Sequence, residues 1–244
     1  MAGAHRACLG HNAATHPDRR LLPSIVSSPP AAGTTAEPLI RGPAGHIEAL
    51  WSAPAQASAE PTVAIVCHPH PLYGGAMTNK VVYMLASTAQ KAGMHALRFN
   101  FRGVGRSEGA HDAGRGETED VVFLADWLRE RLPQARLVLM GFSFGAWVSV
   151  RAAQRLRPRA QVSIAPPFGK YVGDDAVPLR PDCPWLVVHS RDDEVVDYAQ
   201  TKAVLDAYVP PPELVTLDGA GHFFHGRLTE LGGIVLPFLQ QHLP

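Results

Sequence analysis

The run Gly141-Phe142-Ser143-Phe144-Gly145 constrains the fold of this chain more than any other feature of its sequence. The apolar segment Arg136–Met140 before it predicts a buried strand, and the apolar segment Ala146–Val150 after it predicts the start of a helix. A serine between the two lies on a tight bend with its hydroxyl clear of the backbone, and flanking glycines let strand and helix approach closely. The run therefore predicts Ser143 as a nucleophile held towards a carbonyl carbon. A second interpretation stays open, in which Ser143 is an ordinary helix N-cap.

Strand and helix patterns alternate along most of the chain. After a hairpin formed by Leu39-Ile40 and His46–Trp51, the predicted strands are Val63–Cys67, His95–Phe99, Arg136–Met140, Ala160–Ile164, Trp185–His189 and Glu213–Leu217. The predicted helices are Lys80–Ala92, Thr118–Leu132, Phe144–Leu156, Tyr198–Tyr208 and Arg227–Gln241. This alternation predicts an α/β fold with a mostly parallel twisted sheet and helices on both faces. Such a sheet binds its ligand outside the carboxyl ends of its strands.

The two ends of the chain differ in character. Residues 1–36 show no sustained apolar period, which predicts a disordered N-terminal extension. Residues 38–244 are predicted to form one catalytic domain. The stretch between Ile164 and Trp185 is short and rich in proline, so we expect a stiff loop there.

The composition of the chain restricts the classes of partner that it is expected to bind. Lys+Arg and Asp+Glu both total 22, and the resulting zero net charge predicts neither nucleic-acid binding nor a membrane-surface helix. We therefore expect a small-molecule substrate, and the sequence leaves the oligomeric state undetermined. The three cysteines, Cys8, Cys67 and Cys183, are far apart, and the N-terminus lacks the apolar core of a secretory signal. Both features predict a cytoplasmic protein.

A nucleophilic serine requires a general base, and the base requires an orienting carboxylate. His222 follows the last predicted strand in a glycine-rich loop that can carry its imidazole back over the sheet edge. An acid is expected from His189–Val196, directly after the preceding strand. The order along the chain is then serine, aspartate, histidine, which is the order found in α/β-hydrolases rather than in chymotrypsin or subtilisin.

At four places the chain resembles the α/β-hydrolase superfamily, and more narrowly the small lidless bacterial serine hydrolases. The resemblance covers residues 38–244 and rests on the Ser143 turn and on three further runs, His68-Pro69-His70-Pro71-Leu72-Tyr73-Gly74-Gly75, Arg98-Phe99-Asn100-Phe101-Arg102-Gly103-Val104-Gly105-Arg106-Ser107-Glu108-Gly109 and Gly221-His222-Phe223-Phe224-His225-Gly226. It implies the α/β-hydrolase fold and hydrolysis through an acyl-enzyme, with no metal needed. In this fold a lid domain is usually inserted at the position of the short stretch between Ile164 and Trp185, so we expect no large lid.

The resemblance also implies a particular acid. In the superfamily the acid commonly lies three residues after the glycine of an H-G-x-x-D-x-x-V run. On this chain His189-Ser190 takes the place of His-Gly, which assigns Asp193 as the acid. Asp192 and Asp197 remain alternatives, because a shift of one residue changes where a carboxylate points.

Backbone N–H groups must stabilise the oxyanion of the tetrahedral intermediate. Phe144 supplies one, because it follows the nucleophile at a helix N-terminus. The second is expected from the loop after Val63–Cys67, where the prolines have no N–H to donate. His70 is the first donor of that loop and the position that the superfamily would assign, with Leu72 in reserve.

The predicted pocket is apolar with one cationic side chain. Tyr73, Phe142, Phe168 and Phe223 are candidates for its walls, and Arg102 is a candidate for its mouth, where it would meet an anionic substrate. The competing interpretation of Arg102 is that it hydrogen-bonds its own glycine-rich loop in place. An open apolar site favours a small soluble carboxylic ester or thioester. Acyl transfer, peptide hydrolysis and a catalytically silent scaffold remain alternatives.

Two patterns suggest zinc binding and phosphate binding, but neither pattern is complete. The pairs His68-x-His70 and His222-x-x-His225 suggest zinc, but neither matches H-E-x-x-H, so no metal is expected. The loop Arg102–Arg106 resembles a phosphate-binding loop, but Glu108 stands where the third glycine of G-x-G-x-x-G is required. The sequence therefore predicts no cofactor.

Overall fold

The structure is a computed structural model that describes residues 28–56, 60–170 and 177–242. Its strands are β1 Thr35–Ala36, β2 Leu39–Gly42, β3 Gly45–Ser52, β4 Thr62–Cys67, β5 His95–Phe99, β6 Arg136–Phe142, β7 Ala160–Ile164, β8 Trp185–Ser190 and β9 Glu213–Leu217. Its helices are α1 Lys80–Lys91, α2 Arg115–Arg131, α3 Phe144–Leu156, α4 Tyr198–Asp206 and α5 Leu228–His242, with a 3₁₀ turn at Pro71–Tyr73. The described residues include no helix long and apolar enough to cross a membrane.

The strands form one sheet in the order β1-β3-β5-β4-β6-β7-β8-β9, with β2 also paired to β3. β3 runs antiparallel to β5, whereas the strands from β5 to β9 are parallel. The register aligns the carboxyl ends of the parallel strands, because Cys67 of β4 lies beside Gly141 of β6 and Ser190 of β8 lies beside Leu217 of β9. Loops that leave these ends therefore meet at one edge of the sheet.

Helices cover both faces of the sheet, as the alternating pattern predicts. One apolar core lies between the sheet and α2, α3 and α4, and includes Trp51, Leu124 and Trp147. The other lies between the sheet and α1 and α5, and includes Leu85 and Phe238. Because the central strands are buried on both faces, their sequences are continuously apolar and do not alternate with polar residues.

The elements agree with the sequence prediction to within a few residues, with two informative differences. The first is β1, because Thr35–Ala36 pairs with β3 inside the segment predicted to be a disordered extension, so the ordered domain begins before residue 38. The rest of that prediction, residues 1–27, lies outside the described residues. The second is α2, which begins three residues before Thr118. The buried Glu117 accepts the N–H of Gly114 at 2.8 Å and so organises the turn in which the helix starts.

Candidate active site

Ser143 lies between β6 and α3 on a tight turn. Its backbone has φ 52° and ψ −123°, a conformation in which non-glycine residues are uncommon. Its N–H donates to the carbonyl of Ile164 at 2.8 Å, which ties the turn to β7. Within the described chain the Ser143 side chain makes no capping hydrogen bond to α3. The geometry therefore does not support the N-cap interpretation.

The two glycines of the run are required by close packing. A Cβ on Gly141 would lie 2.3 Å from the carbonyl oxygen of Gly145. A Cβ on Gly145 would lie 2.4 Å from the carbonyl oxygens of both Cys67 and His68, where β4 ends. These contacts bring the start of α3 directly against the loop that follows β4.

His222 is hydrogen-bonded to Asp193 at the same edge of the sheet. Its Nδ1 lies 2.8 Å from Asp193 Oδ2, and both side chains are almost fully buried. The ring of His222 also lies against Phe142, the residue before Ser143, with 5.0 Å between ring centroids. The imidazole thus covers the end of β6 where the serine turn begins.

The three aspartates of the loop after β8 have different partners. Asp193 Oδ1 accepts the N–H groups of Val195 and Val196 at 2.9 and 2.7 Å, while its Oδ2 is left for His222. Asp192 accepts the N–H of Gly219, and Asp197 caps α4 through its side chain. The carboxylate that contacts the imidazole is therefore that of Asp193.

The electrostatics of Asp193 favour its ionised form. Burial acts to raise the pKa of its carboxyl, but hydrogen bonds from His222 and from the N–H groups of Val196 and Val195 outweigh burial and lower the pKa overall. An ionised carboxylate at Nδ1 fixes the tautomer of His222 that carries its proton there. Nε2 is then free to accept a proton.

The loop after β4 lies against the serine turn. The rings of His70 and Phe144, which carry the two predicted oxyanion donors, lie 4.8 Å apart. The N–H of Leu72 donates to His70 Nδ1 at 3.2 Å, so the reserve donor is already used within the 3₁₀ turn. Of the two candidates in this loop, the geometry favours the His70 N–H.

A family model described as the alpha/beta hydrolase fold matches residues 72–166. The crystal structure of XC6422 from Xanthomonas campestris, described as an α/β serine hydrolase without lid, is 38% identical with a TM-score of 0.81, and the match covers 89% of this chain and 98% of that one. This chain belongs to the α/β-hydrolase family.

Two further relatives cover most of this α/β-hydrolase. An α/β serine hydrolase homologue from Coxiella burnetii is 38% identical with a TM-score of 0.78, over 89% of this chain and all (100%) of that one. The uncharacterized protein RP471 of Rickettsia prowazekii is 34% identical over 207 residues, which are 81% of this chain and 86% of its own.

The predicted pocket residues of the hydrolase divide into two groups. Phe223 contacts the ring of His222 and is exposed, and the exposed Tyr73 lies 4.7 Å from the ring of His70. Phe142 contacts the same His222 ring but is fully buried, so it supports the histidine and does not line an open pocket. The other two also differ from the prediction. Phe168 is buried in the core between the sheet and α2, α3 and α4, where its ring packs against Trp185 and not against a pocket.

Arg102 is a further departure from the predicted pocket. Its guanidinium makes two hydrogen bonds to the buried Asp120 of α2, from Nε at 2.9 Å and from Nη2 at 2.7 Å. The pair anchors the loop after β5 to α2, so Arg102 holds its loop in place as the competing interpretation expects, but through a partner on α2 and not within the loop itself. Arg102 is therefore occupied by a protein carboxylate rather than presented to a substrate.

His68 has a structural role. Its Nδ1 donates to the carbonyl of Pro69 at 2.6 Å, and its Nε2 accepts the N–H of Phe101 at 2.9 Å. Both ring nitrogens of the neutral imidazole are thus used. Burial lowers the pKa of His68 to about 4. The ring joins the loops after β4 and β5, and none of its nitrogens is left for a metal.

Sequence reasoning missed two features of the site. Glu194 Oε2 accepts the N–H of His222 at 3.0 Å and so holds the histidine loop. His111 lies beside the loop after β4, 4.8 Å from His70 between ring centroids, and its Nδ1 lies 2.9 Å from Glu117 Oε1. Glu194 carries a weak signal, because it follows Asp193 directly in the predicted acid loop. The contact of His111 depends on tertiary packing and has no signal in the sequence.

Proposed function

We propose that this α/β-hydrolase is a serine hydrolase that cleaves a small carboxylic ester or thioester, with Ser143 as nucleophile, His222 as general base and Asp193 as orienting acid. The observation that carries the proposal is the buried 2.8 Å hydrogen bond between His222 and Asp193 over the end of β6. The order of the three residues and their positions after β6, β8 and β9 support it. So do the relatives described as serine hydrolases.

In the proposed reaction, His222 Nε2 takes the Ser143 proton as the hydroxyl oxygen attacks the acyl carbonyl. The negative charge of Asp193 stabilises the imidazolium that forms. The tetrahedral intermediate collapses when His222 returns the proton to the leaving alcohol or thiol. Water then attacks the acyl-enzyme, with the same histidine as base, and the released acid regenerates Ser143.

The oxyanion of each intermediate is proposed to accept hydrogen bonds from the N–H groups of Phe144 and His70. The N–H of Phe144 lies at the N-terminus of α3, where the helix dipole favours negative charge. His70 is held by a turn in which its carbonyl accepts the N–H groups of Tyr73 and Gly75 at 3.1 and 3.0 Å. This turn fixes the donor before substrate arrives, as preorganised stabilisation requires.

The surroundings favour a short acyl group. Phe223 offers an apolar surface beside His222, and 42% of it is exposed to solvent, whereas Phe142 is fully buried. One structure similar to the chain is described as a serine hydrolase without lid. An open apolar surface of this kind suits a small ester better than a long-chain lipid, which needs a larger covered pocket.

A reducing compartment such as the cytoplasm is proposed for the enzyme. Cys67 is buried and free, and Cys183 is also free. Burial raises the pKa of the Cys67 thiol, so the residue is not activated as a nucleophile. Free thiols of this kind are typical of proteins that remain in a reducing environment.

The test is covalent labelling with a fluorophosphonate probe. We expect wild type to be labelled and Ser143→Ala not to be. Ser87→Ala is the control, because it removes a hydroxyl from α1, on the face of the sheet opposite to α3. Hydrolysis of p-nitrophenyl esters of increasing chain length should then show highest kcat/KM for short acyl groups. Absence of labelling in wild type would reject the proposal in favour of a binding scaffold. Products that change when alcohols or amines are added would indicate an acyltransferase.

A further inference from the structure

A groove of about 570 Å³ lies between α1 and α5, on the face of the sheet opposite to α3, and we call it the helix groove. Since α1 rises about 1.5 Å per residue, the groove extends about 16 Å from Lys80 to Lys91. Its volume is in the range of ligand-binding clefts. The α1 side is a single stripe of side chains at helical spacing, which includes Lys80, Tyr83, Met84, Thr88 and Lys91.

A smaller cavity of about 390 Å³ connects the helix groove with the catalytic edge of the sheet. Thr78, Lys80 and Leu228 line both cavities, so the two adjoin. The smaller cavity is also lined by Phe223, whose ring lies 5.1 Å from the ring of His222. We call it the entrance cavity, because it leads from the histidine loop to the helix groove.

The position of the entrance cavity relates it to one side of the scissile bond. In the proposed reaction the acyl oxygen faces the N–H groups of Phe144 and His70, whereas His222 protonates the leaving group. A cavity that opens at Phe223, beside His222, therefore lies on the leaving-group side. A chain that continues from the leaving group can enter the helix groove without displacing the acyl group.

Two adjacent glycines of α5 line the helix groove. Neither Gly232 nor Gly233 has a positive φ, so the backbone conformation does not require glycine. Among the described residues, a Cβ on Gly232 would meet Thr88 Oγ1 and Met84 Sδ at 3.4 and 3.5 Å, and a Cβ on Gly233 would meet no atom within 4 Å. Glycine is unfavourable in a helix interior, and packing within the protein does not explain this pair. A ligand that lies against the bare backbone of α5 does explain it.

The helix groove has a lysine at each end and an apolar middle. Within the described residues neither Lys80 nor Lys91 has a carboxylate partner, and no Asp or Glu lines either cavity. Lys80 is the first residue of α1, where a cation opposes the helix dipole, so helix stability does not account for its charge. Met84 and Leu236 lie between the two ends. This distribution is complementary to an apolar chain that carries a negative charge.

We propose that the helix groove binds the leaving group of the substrate, an alcohol or thiol with an extended apolar chain that ends in an anionic group. The inference rests on the proposed function and refines its small ester to a short acyl group on a longer leaving group. The chain passes Phe223, lies against Met84 and the two glycines, and places its anionic end at Lys91. Lys80 adds positive charge where the two cavities meet.

The competing explanation is that the helix groove is only a gap between two helices. Lys91 lies in the last turn of α1, where a cation stabilises a helix through its dipole. On this explanation its replacement changes the melting temperature but not the preference among esters. The discriminating experiment therefore compares esters that differ only in the length of the leaving group.

The ions of 4-acetoxybutanoic acid and 12-acetoxydodecanoic acid make that comparison, because they share the acyl group and the terminal carboxylate. Both are used below the concentration at which the longer ion forms micelles. We expect kcat/KM of wild type to be about tenfold or more higher for the longer ester, mainly through KM, because its additional methylenes are buried in the groove. Calorimetry gives a measurement without turnover: 12-hydroxydodecanoate should bind Ser143→Ala at least about tenfold more tightly than 4-hydroxybutanoate.

Two variants alter the helix groove. Gly233→Leu fills it and should lower the ratio of the two kcat/KM values by about tenfold. Lys91→Met should lower the ratio about three- to fivefold, whereas Lys91→Arg should keep it. The matched controls on α4, on the other face of the sheet, are Ala199→Leu at an exposed position and Lys202→Met, which breaks a lysine–aspartate pair. Both controls should keep the wild-type ratio.

Circular dichroism and fluorophosphonate labelling establish that each variant is folded and reactive. A long-chain preference that falls in Gly233→Leu and Lys91→Met and persists in the two controls supports the inference. A preference that falls in Gly233→Leu alone overturns the assignment of the anionic end to Lys91.

Three results overturn the whole inference: equal kcat/KM for the two esters, a preference that survives in both groove variants, or cleavage of neither ester by a wild type that is labelled. Labelling of Ser143 would still support the proposed function in each case. Failure of wild type to label would instead reject the proposed function itself, and binding of 12-hydroxydodecanoate to Ser143→Ala would then show the groove to be a ligand site without that reaction.

Discussion

Replacement of Asp193 by asparagine tests the proposed machinery most directly. Oδ1 of Asp193 accepts two backbone N–H groups, whereas Oδ2 faces His222 Nδ1 at 2.8 Å. An asparagine must keep its carbonyl oxygen on the two N–H donors, because an amide NH₂ there would leave both unpaired. Its NH₂ group is then directed at His222 Nδ1. The histidine accordingly carries its proton on Nε2 and can no longer accept one from Ser143.

The expected cost follows from this inverted tautomer. Asp193→Asn should lower kcat by about 10³ to 10⁴, which is about 4 to 5.5 kcal/mol of transition-state stabilisation. The fold should survive, because the backbone hydrogen bonds to Oδ1 are kept. The loss should appear in kcat rather than KM, since neither the substrate pocket nor the proposed oxyanion donors change.

The assay is steady-state hydrolysis of p-nitrophenyl acetate, with thermal unfolding of each variant as the structural measurement. Asp192→Asn is the matched control. Its carboxylate accepts only the Gly219 N–H among the described hydrogen bonds, a role that an amide oxygen can fill. Its kcat should stay within about twofold of wild type. Retention of more than a tenth of kcat in Asp193→Asn, or a larger loss in Asp192→Asn, would refute the assignment.

Three further predictions concern stability. His68 gains a proton near pH 6.5 in the unfolded chain but only near pH 4 in the folded chain. Up to about 3 kcal/mol of unfolding free energy should therefore be lost as the pH falls from 6.5 to 4. Urea unfolding at several pH values measures this loss. NMR titration of the His68 ring above pH 5 would contradict this. Gly145→Ala should lower the melting temperature through a clash that costs about 1 to 3 kcal/mol. Gly233→Ala, in open space on α5, should raise the melting temperature slightly. Equal shifts of the melting temperature in the two variants would be inconsistent with the packing. Arg102→Met should cost about 3 kcal/mol by leaving Asp120 uncompensated, and a double variant with Asp120→Leu should recover most of it; without that recovery the pair has another role.

Local pattern was sufficient to predict most of the fold. Four elements, His95–Phe99, Phe144–Leu156, Ala160–Ile164 and Glu213–Leu217, have the same bounds in sequence and structure. Their limits coincide with changes in apolar period that neighbouring residues already encode. The two-residue strand Thr35–Ala36 has no such pattern, because only its pairing with β3 stabilises it.

The site was predictable only where topology alone places a residue. Ser143 and His222 follow strands whose carboxyl ends must share an edge, so their proximity could be expected. The role of Arg102 depends on Asp120, on a different element, and pattern cannot show whether a cation faces a partner or a cleft. The contact of His111 with Glu117 likewise depends on the turn before α2, which exists only in the folded chain.

The backbone of residue 143 has a consequence for how this enzyme is maintained. Its positive φ suits glycine, and a serine in such a conformation costs on the order of 1 to 3 kcal/mol. On the proposed function, Ser143→Gly would yield a chain that is inert and yet melts at a higher temperature. Selection for stability alone would therefore favour replacement of serine at this position, and only selection for catalytic activity opposes that replacement.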